Sequence, residues 1–149
     1  MAEVNYYLGR TALVTGASAG LGIEFARELA SRGSNLVLVA RRRERMEEIA
    51  RELKAAHAID VTVISRNLST YRAGKVLMDD IERRGITLDI VINNAGFGTY
   101  GPLATEDADR IADEISLNVN ALVDITRAAL PGMVERDRGI IVNVASTAA

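Results

Sequence analysis

Residues Thr15-Gly16-Ala17-Ser18-Ala19-Gly20-Leu21-Gly22 directly follow the short apolar run 11–15 and open a stretch of helical periodicity. Gly16 suits a tight turn, Gly20 lets backbone approach a pyrophosphate, and Gly22 permits close helix packing. The helix start beyond them offers unpaired N–H groups and a partial positive charge to phosphates. Glycines alone would equally fit an ordinary strand-to-helix turn. The order strand, glycine turn, helix is what points to a dinucleotide. Gly16, Ser18, Ala19, Gly20, Leu21 and Gly22 are therefore candidate cofactor contacts.

Outward from that turn, short runs rich in Val, Ile and Leu recur at 11–15, 36–40, 61–65, 90–93 and 140–144. Each is nearly continuous in apolar residues, as strands buried on both faces of a parallel sheet are. Helical stretches lie between them. The first, 20–31, carries Leu21, Phe25, Ala26 and Leu29 on one stripe and stops at Gly33. The second, 44–56, repeats Met46, Ile49, Ala50 and Leu53, with Glu47 and Arg51 as a pair on its wet side. A third, capped by Ser69 or Thr70, is expected to bury Val76, Leu77 and Ile81 and to end at Gly85. The last, 107–135, contains Asn118, Asn120 and Pro131 and is expected to be bent or interrupted. The pattern predicts an α/β, Rossmann-type doubly wound parallel sheet of order 3-2-1-4-5.

The 149 residues suit one domain, 1–149, with ordinary apolar (48%) and charged (26%) fractions for a globular chain. A formal charge of −2 gives no electrostatic reason to expect nucleic acid. The absence of cysteine excludes disulfides and thiolate metal sites, and with His57 the only histidine no metal site is expected. Neither a signal sequence nor a membrane-spanning run is read from the sequence, and a cytoplasmic location is expected. The final run, 140–144, reads as a strand to be covered on both faces, yet only five residues follow it. The unit is therefore expected to be truncated after the fifth strand, its edge covered by another chain or by further polypeptide.

The end of the second strand reads Ala40-Arg41-Arg42-Arg43. A carboxylate there would accept hydrogen bonds from the ribose hydroxyls of NAD, whereas guanidinium forks suit a 2′-phosphate. NADP is favoured over NAD, with Arg41 the main contact and Arg42 second. The alternative is a solvated basic start to a Glu-rich helix.

Thr15–Gly22 together with Asn93-Asn94-Ala95-Gly96 resembles the short-chain dehydrogenase/reductase family, whose motifs read TGxxxGxG and NNAG. The resemblance covers essentially the whole chain. It implies an NADP-dependent oxidoreductase passing hydride between nicotinamide and a carbonyl or alcohol substrate. Asn94, Ala95 and Gly96 are implied beside the cofactor, and Asn67-Leu68 near the adenine, with Asn67 departing from the commoner Asp. Asn118 matches the family's active-site Asn, which holds a water in a proton relay; Asn120 is the alternative register. Ser146 matches the Ser that hydrogen-bonds the substrate oxygen. The family's Tyr-x-x-x-Lys belongs on the helix after the fifth strand, beyond Ala149; Tyr6, Tyr7, Tyr71 and Tyr100 all precede that strand, and the motif is read as absent, with none of them expected to carry the Lys four residues on. The 149 residues alone are thus expected to be inactive. Two further readings stay open: a non-catalytic nucleotide-binding or interaction module, and an inactive fragment. Self-association is expected through the fifth strand or the 107–135 helix.

Overall fold

Five β-strands alternate with helices in the computed structural model, which describes residues 5–146. They are β1 (Thr11–Thr15), β2 (Asn35–Ala40), β3 (Val61–Ser65), β4 (Ile90–Asn93) and β5 (Ile140–Asn143). All pair in parallel, in the order β3-β2-β1-β4-β5. The sheet is thus the doubly wound one that the alternation of apolar runs and helical stretches predicts. β2 starts one residue earlier than expected and β5 stops one residue sooner.

Alternation along the strands builds two cores. Ala12, Val14, Leu36 and Leu38 face α1 (Gly20–Ser31) and α2 (Arg43–Ala56), whose Ile23, Ala26, Met46 and Ile49 complete one layer. Leu13, Val37, Val39 and Val91 face α3 (Ala73–Arg83) and α5 (Leu122–Glu135), contributing Leu77, Ile81, Ile125 and Met133 to the other. Gly74 lets α3 lie close to α5: a Cβ there would stand 2.7 Å from the Ala121 carbonyl oxygen and from Asp124 Cβ.

Several local expectations need correction. Leu21 is 61% exposed, so it leaves the buried stripe of α1 and stands at the mouth of the glycine turn. Neither Ser69 nor Thr70 caps α3; Arg72 holds the cap position in a left-handed conformation (φ 53°), tied to Asp124 at 3.5 Å. Val76 is 42% exposed, because only Leu77 and Ile81 of that trio point at the sheet. Glu47 pairs with Arg43 one turn before it rather than with Arg51. The 107–135 stretch is interrupted, as its asparagines suggest: α4 (Ala108–Ile115) runs through a π-helical stretch, Ser116–Ala121, into α5. Pro131 lies inside α5 without ending it.

Candidate functional site

Every strand is parallel, so the ends of β1 to β5 share one edge, and the candidate residues other than Asn118 follow strand ends there. β1 and β4 are neighbours while their chain connections leave on opposite faces. That is the switch point at which open α/β sheets bind ligands.

Thr15 organises this point. It is 2% exposed, and its hydroxyl donates to the Ile92 carbonyl (3.3 Å). The same oxygen accepts from the backbone N–H groups of Asn94 and Ala95, both at 3.0 Å. Asn94 Nδ2 donates to the Thr15 carbonyl at 3.1 Å, sealing β1 to β4. The glycines fit around that seal. A Cβ on Gly16 would stand 2.9 Å from Asn94 Nδ2, and one on Gly22 would run into the Gly16 carbonyl oxygen. Gly22 therefore closes the turn onto the helix start. Gly20 is different: its φ is +52° and a Cβ there would meet nothing within 4 Å.

That open space lies where α1 begins, with Ala19 extended at its cap and no side chain satisfying the first N–H groups. A pyrophosphate fits such a cradle: backbone donors, positive helix end and no Cβ in the way. Arg41 and Arg42 stand beside it at the end of β2. Arg42 donates to Ser18, from Nε to Oγ at 3.3 Å and from one terminal nitrogen to the carbonyl at 3.0 Å and to Oγ at 3.2 Å. Asn67 is exposed, and its carboxamide oxygen accepts from the Ser69 N–H at 3.0 Å, leaving Nδ2 as the end open to a ligand. Leu68 is 4% exposed in the α3–α5 core, so its side chain is a packing group and only its backbone faces the edge.

Asn118 sits in the π-helical stretch and reaches the loop after β4. Its Oδ1 accepts from the Phe97 N–H (3.2 Å) and its Nδ2 donates to the Phe97 carbonyl (2.8 Å). Gly96 packs close beside it: a Cβ would stand 3.1 Å from Asn118 Oδ1, so the carboxamide would have to shift by a few tenths of an ångström to admit one. Asn120 makes no comparable contact among the described residues, so Asn118 is the one of the two that is joined to this loop. Arg110 on α4 stacks over the Phe97 ring at 5.0 Å. Ser146 is exposed, three positions past the end of β5.

Two residues quoted within these motifs were given no role of their own. Thr15 opens the glycine motif at the end of a strand, and a buried polar side chain just before a glycine turn signals a structural hydrogen bond. Asn93 is 4% exposed and donates to Thr126 Oγ1 (3.0 Å) and Asn143 Oδ1 (2.9 Å), tying β4 to both α5 and β5. A third point is a correction. Tyr71 and Lys75 do have Tyr-x-x-x-Lys spacing, but on the approach to α3 rather than after β5. The Tyr71 ring is 92% exposed and Lys75 pairs with Asp79 along its own helix. No group of three or more metal-ligating side chains occurs among the described residues. No described helix is long and apolar enough to cross a membrane.

The parallel 3-2-1-4-5 sheet, the glycine turn at its switch point and the Asn93–Gly96 seal define a Rossmann-type dinucleotide-binding class. The sequence profile of the family described as short chain dehydrogenase matches residues 10–149, and the chain belongs to that family. A very-long-chain 3-oxoacyl-CoA reductase of Anas platyrhynchos is 32% identical over 147 residues, 95% of this chain and 46% of that protein. The solved short-chain dehydrogenase from Sphingobium yanoikuyae in complex with NADPH is 33% identical, with TM-score 0.86, covering 93% and 54% of the two chains. A 3-oxoacyl (acyl-carrier-protein) reductase from Agrobacterium tumefaciens C58 with NADP bound is 28% identical, with TM-score 0.88, covering 98% and 57%. The chain spans about half the length of the relatives it matches.

Proposed function

We propose that these residues form the cofactor-binding part of an NADP-dependent oxidoreductase acting on a small carbonyl or alcohol substrate. The observation that carries the reading is the open cradle at Gly20, bounded by the start of α1 and by the exposed Arg41. Bound NADP would supply or accept the hydride. The chain's own residues bind and orient: α1 N–H groups hold the pyrophosphate, Arg41 the 2′-phosphate, and Asn94 to Gly96 flank the cofactor. Asn67 is assigned to the adenine through its open Nδ2, and Leu68 through its backbone alone.

Ser146 is assigned to the substrate oxygen. Asn118 has both ends of its carboxamide on Phe97, so its first task in this reading is to fix the loop over Gly96. Its second Oδ1 lone pair and second Nδ2 hydrogen are left for a water with the clamp closed. The proton donor is assigned to the part of the fold that follows β5, which the greater length of the relatives accommodates. Residues 1–149 act in this reading as one dinucleotide-binding unit that is inactive by itself.

Self-association belongs to the same reading. Ile115, Val119, Val123, Leu130 and Val134 are each at least 43% exposed and recur at helical spacing from α4 to α5. A groove of about 550 Å³ runs along α5 past Leu122, Thr126 and Leu130. A cytoplasmic setting is also part of it, supported by the absence of cysteine.

The second reading, a nucleotide-binding module without redox chemistry, is favoured by one observation: the Tyr71-x-x-x-Lys75 spacing falls before and within α3 rather than after β5. Fluorescence titration with NADPH and NADH tests the cofactor, and NADPH oxidation with a panel of ketones and aldehydes separates the readings. Tight NADPH binding without turnover by the full-length protein selects the module. Equal weak binding of both nucleotides overturns the NADP assignment.

A further inference from the structure

Four arginines cluster at the start of α2, and their partners divide them. Arg43 pairs with Glu47 at 3.3 Å and Arg45 with Glu48 at 2.9 Å, each along the helix. Arg42 turns back across the site and puts two of its nitrogens on Ser18, whose residue is only 9% exposed. The Arg41 guanidinium has no hydrogen bond or ion pair with any described residue. Its backbone, by contrast, is fixed. The Ser65 hydroxyl donates to the Arg41 carbonyl (3.0 Å), and the Arg66 N–H donates to the carbonyl of Ala40 beside it (2.9 Å).

We propose that the two arginines do different work: Arg42 is a positioning residue that splints the glycine turn through Ser18, and Arg41 alone discriminates NADP from NAD. This rests on the NADP reading above. The sequence reading, which makes Arg42 the second phosphate contact, is revised accordingly.

The physical argument is one of commitment. A guanidinium has a planar fork of donors, and Arg42 commits its Nε and one terminal nitrogen to an oxygen pair within the turn. Ser18 lies between Ala17, whose N–H donates to the Val39 carbonyl (3.3 Å), and Ala19, the cap residue of α1. Fixing Ser18 therefore fixes the turn that presents the α1 N–H groups to the pyrophosphate. That pyrophosphate is common to both nucleotides, so loss of the splint weakens both alike. Binding a 2′-phosphate through the Nε edge of Arg42 would instead require breaking the Ser18 contacts, which leave only its other terminal nitrogen without a partner. Arg41 meets no such cost, because its carbonyl is anchored while its head group is free.

The test compares Arg41→Ala, Arg42→Ala and the parent in the full-length protein, with two readouts. In the absence of nucleotide, amide hydrogen exchange at Ala17 to Gly20 should quicken severalfold in Arg42→Ala and stay unchanged in Arg41→Ala. In titrations, Arg41→Ala should weaken NADPH by about tenfold to a hundredfold and NADH by less than about threefold, the loss expected for one charge-assisted phosphate contact. Arg42→Ala should weaken both nucleotides by the same factor. Thermal unfolding of each variant identifies any global loss of structure, and Arg42→Lys, which keeps the charge but not the fork, should exchange like Arg42→Ala. Unchanged exchange in Arg42→Ala, or a loss confined to NADPH in that variant, overturns the splint. If the parent binds NADPH and NADH equally while exchange behaves as expected, the NADP reading fails and the splint stands.

Discussion

The Asn118 carboxamide grips Phe97 by both ends of its peptide, accepting from the N–H at 3.2 Å and donating to the carbonyl at 2.8 Å. A π-helical stretch is where this happens, and the two facts belong together: the wider turn of Ser116–Ala121 puts Asn118 at the helix surface over the strand end. The loop after β4 is long and exposed, so few other contacts hold it. Asn118→Leu should therefore quicken amide exchange across residues 96–100 and cost about 1 kcal/mol in stability, a pair of partly exposed hydrogen bonds being worth no more. Asn118→Asp keeps the acceptor for the Phe97 N–H but sets a carboxylate against its carbonyl, and should loosen the loop nearly as much. Unaltered exchange in both variants would remove the clamp from the account.

Gly20 and Gly22 are two positions apart and should fail in different ways. An Ala at 22 drives its Cβ into the Gly16 carbonyl oxygen and to 2.8 Å from Asn94 Nδ2. Backbone cannot move aside cheaply there, so Gly22→Ala should cost about 1–3 kcal/mol and lower the urea midpoint. An Ala at 20 meets nothing but must hold φ at +52°, a penalty of about 1–2 kcal/mol. Its larger effect should be on nucleotide binding, because its methyl group fills the cradle. Comparison of urea midpoints with NADPH affinity distinguishes them. Equal affinity for NADPH in the parent and Gly20→Ala would mean that the cradle is not the pyrophosphate site.

Thr15 shows how a stability prediction follows from a single oxygen. Thr15→Val keeps the shape but leaves the N–H groups of Asn94 and Ala95 without their acceptor, and the Ile92 carbonyl without this donor. Each orphaned buried group costs about 1–3 kcal/mol, less than additively when they share a site. Thr15→Ser should recover most of the loss, since its hydroxyl occupies the same place. Denaturation midpoints decide it; a Val variant within about 0.5 kcal/mol of the parent would show that the seal is held by Asn94 alone.

The sheet was legible because its signals are local. Short apolar runs and their spacing place β1 to β5 to within a residue, and the glycine turn identifies the edge that carries the site. What was not legible depends on which side chain another one chooses. Arg41 and Arg42 are adjacent residues of one type that the sequence casts in the same role, and the position of Ser18 separates them. Leu68 reads as part of an adenine-contacting pair until the α3–α5 core claims its side chain. Ser69 and Thr70 have cap chemistry, but the turn at Asn67 takes them, and Arg72 starts α3 instead. Tyr71 and Lys75 show the converse hazard: motif spacing without the motif's place in the fold.

Asp80 should give the protein a recognisable acid limb. The hydrogen bonds from Arg84 are the largest influence on its carboxyl and hold it below its ordinary value of 3.8, against the opposing effect of burial. Charge from Arg84, Arg83 and Arg66 acts in the same direction as those bonds. The unfolded chain therefore binds a proton at higher pH than the folded one. Stability from this group is complete above about pH 4 and is lost as pH falls through the depressed folded value. Asp80→Asn should be less stable than the parent at pH 7 and lose less than the parent on acidification from pH 4 to pH 2. Because Arg83 and Arg84 are well exposed at the surface, the difference between the two proteins should shrink in about 1 M salt. Urea unfolding at intervals from pH 7 to pH 2, at low and high salt, measures both effects. Parallel pH profiles for the two proteins would mean that Asp80 ionises alike in the folded and unfolded chain, and that its arginine partners contribute no net stabilisation.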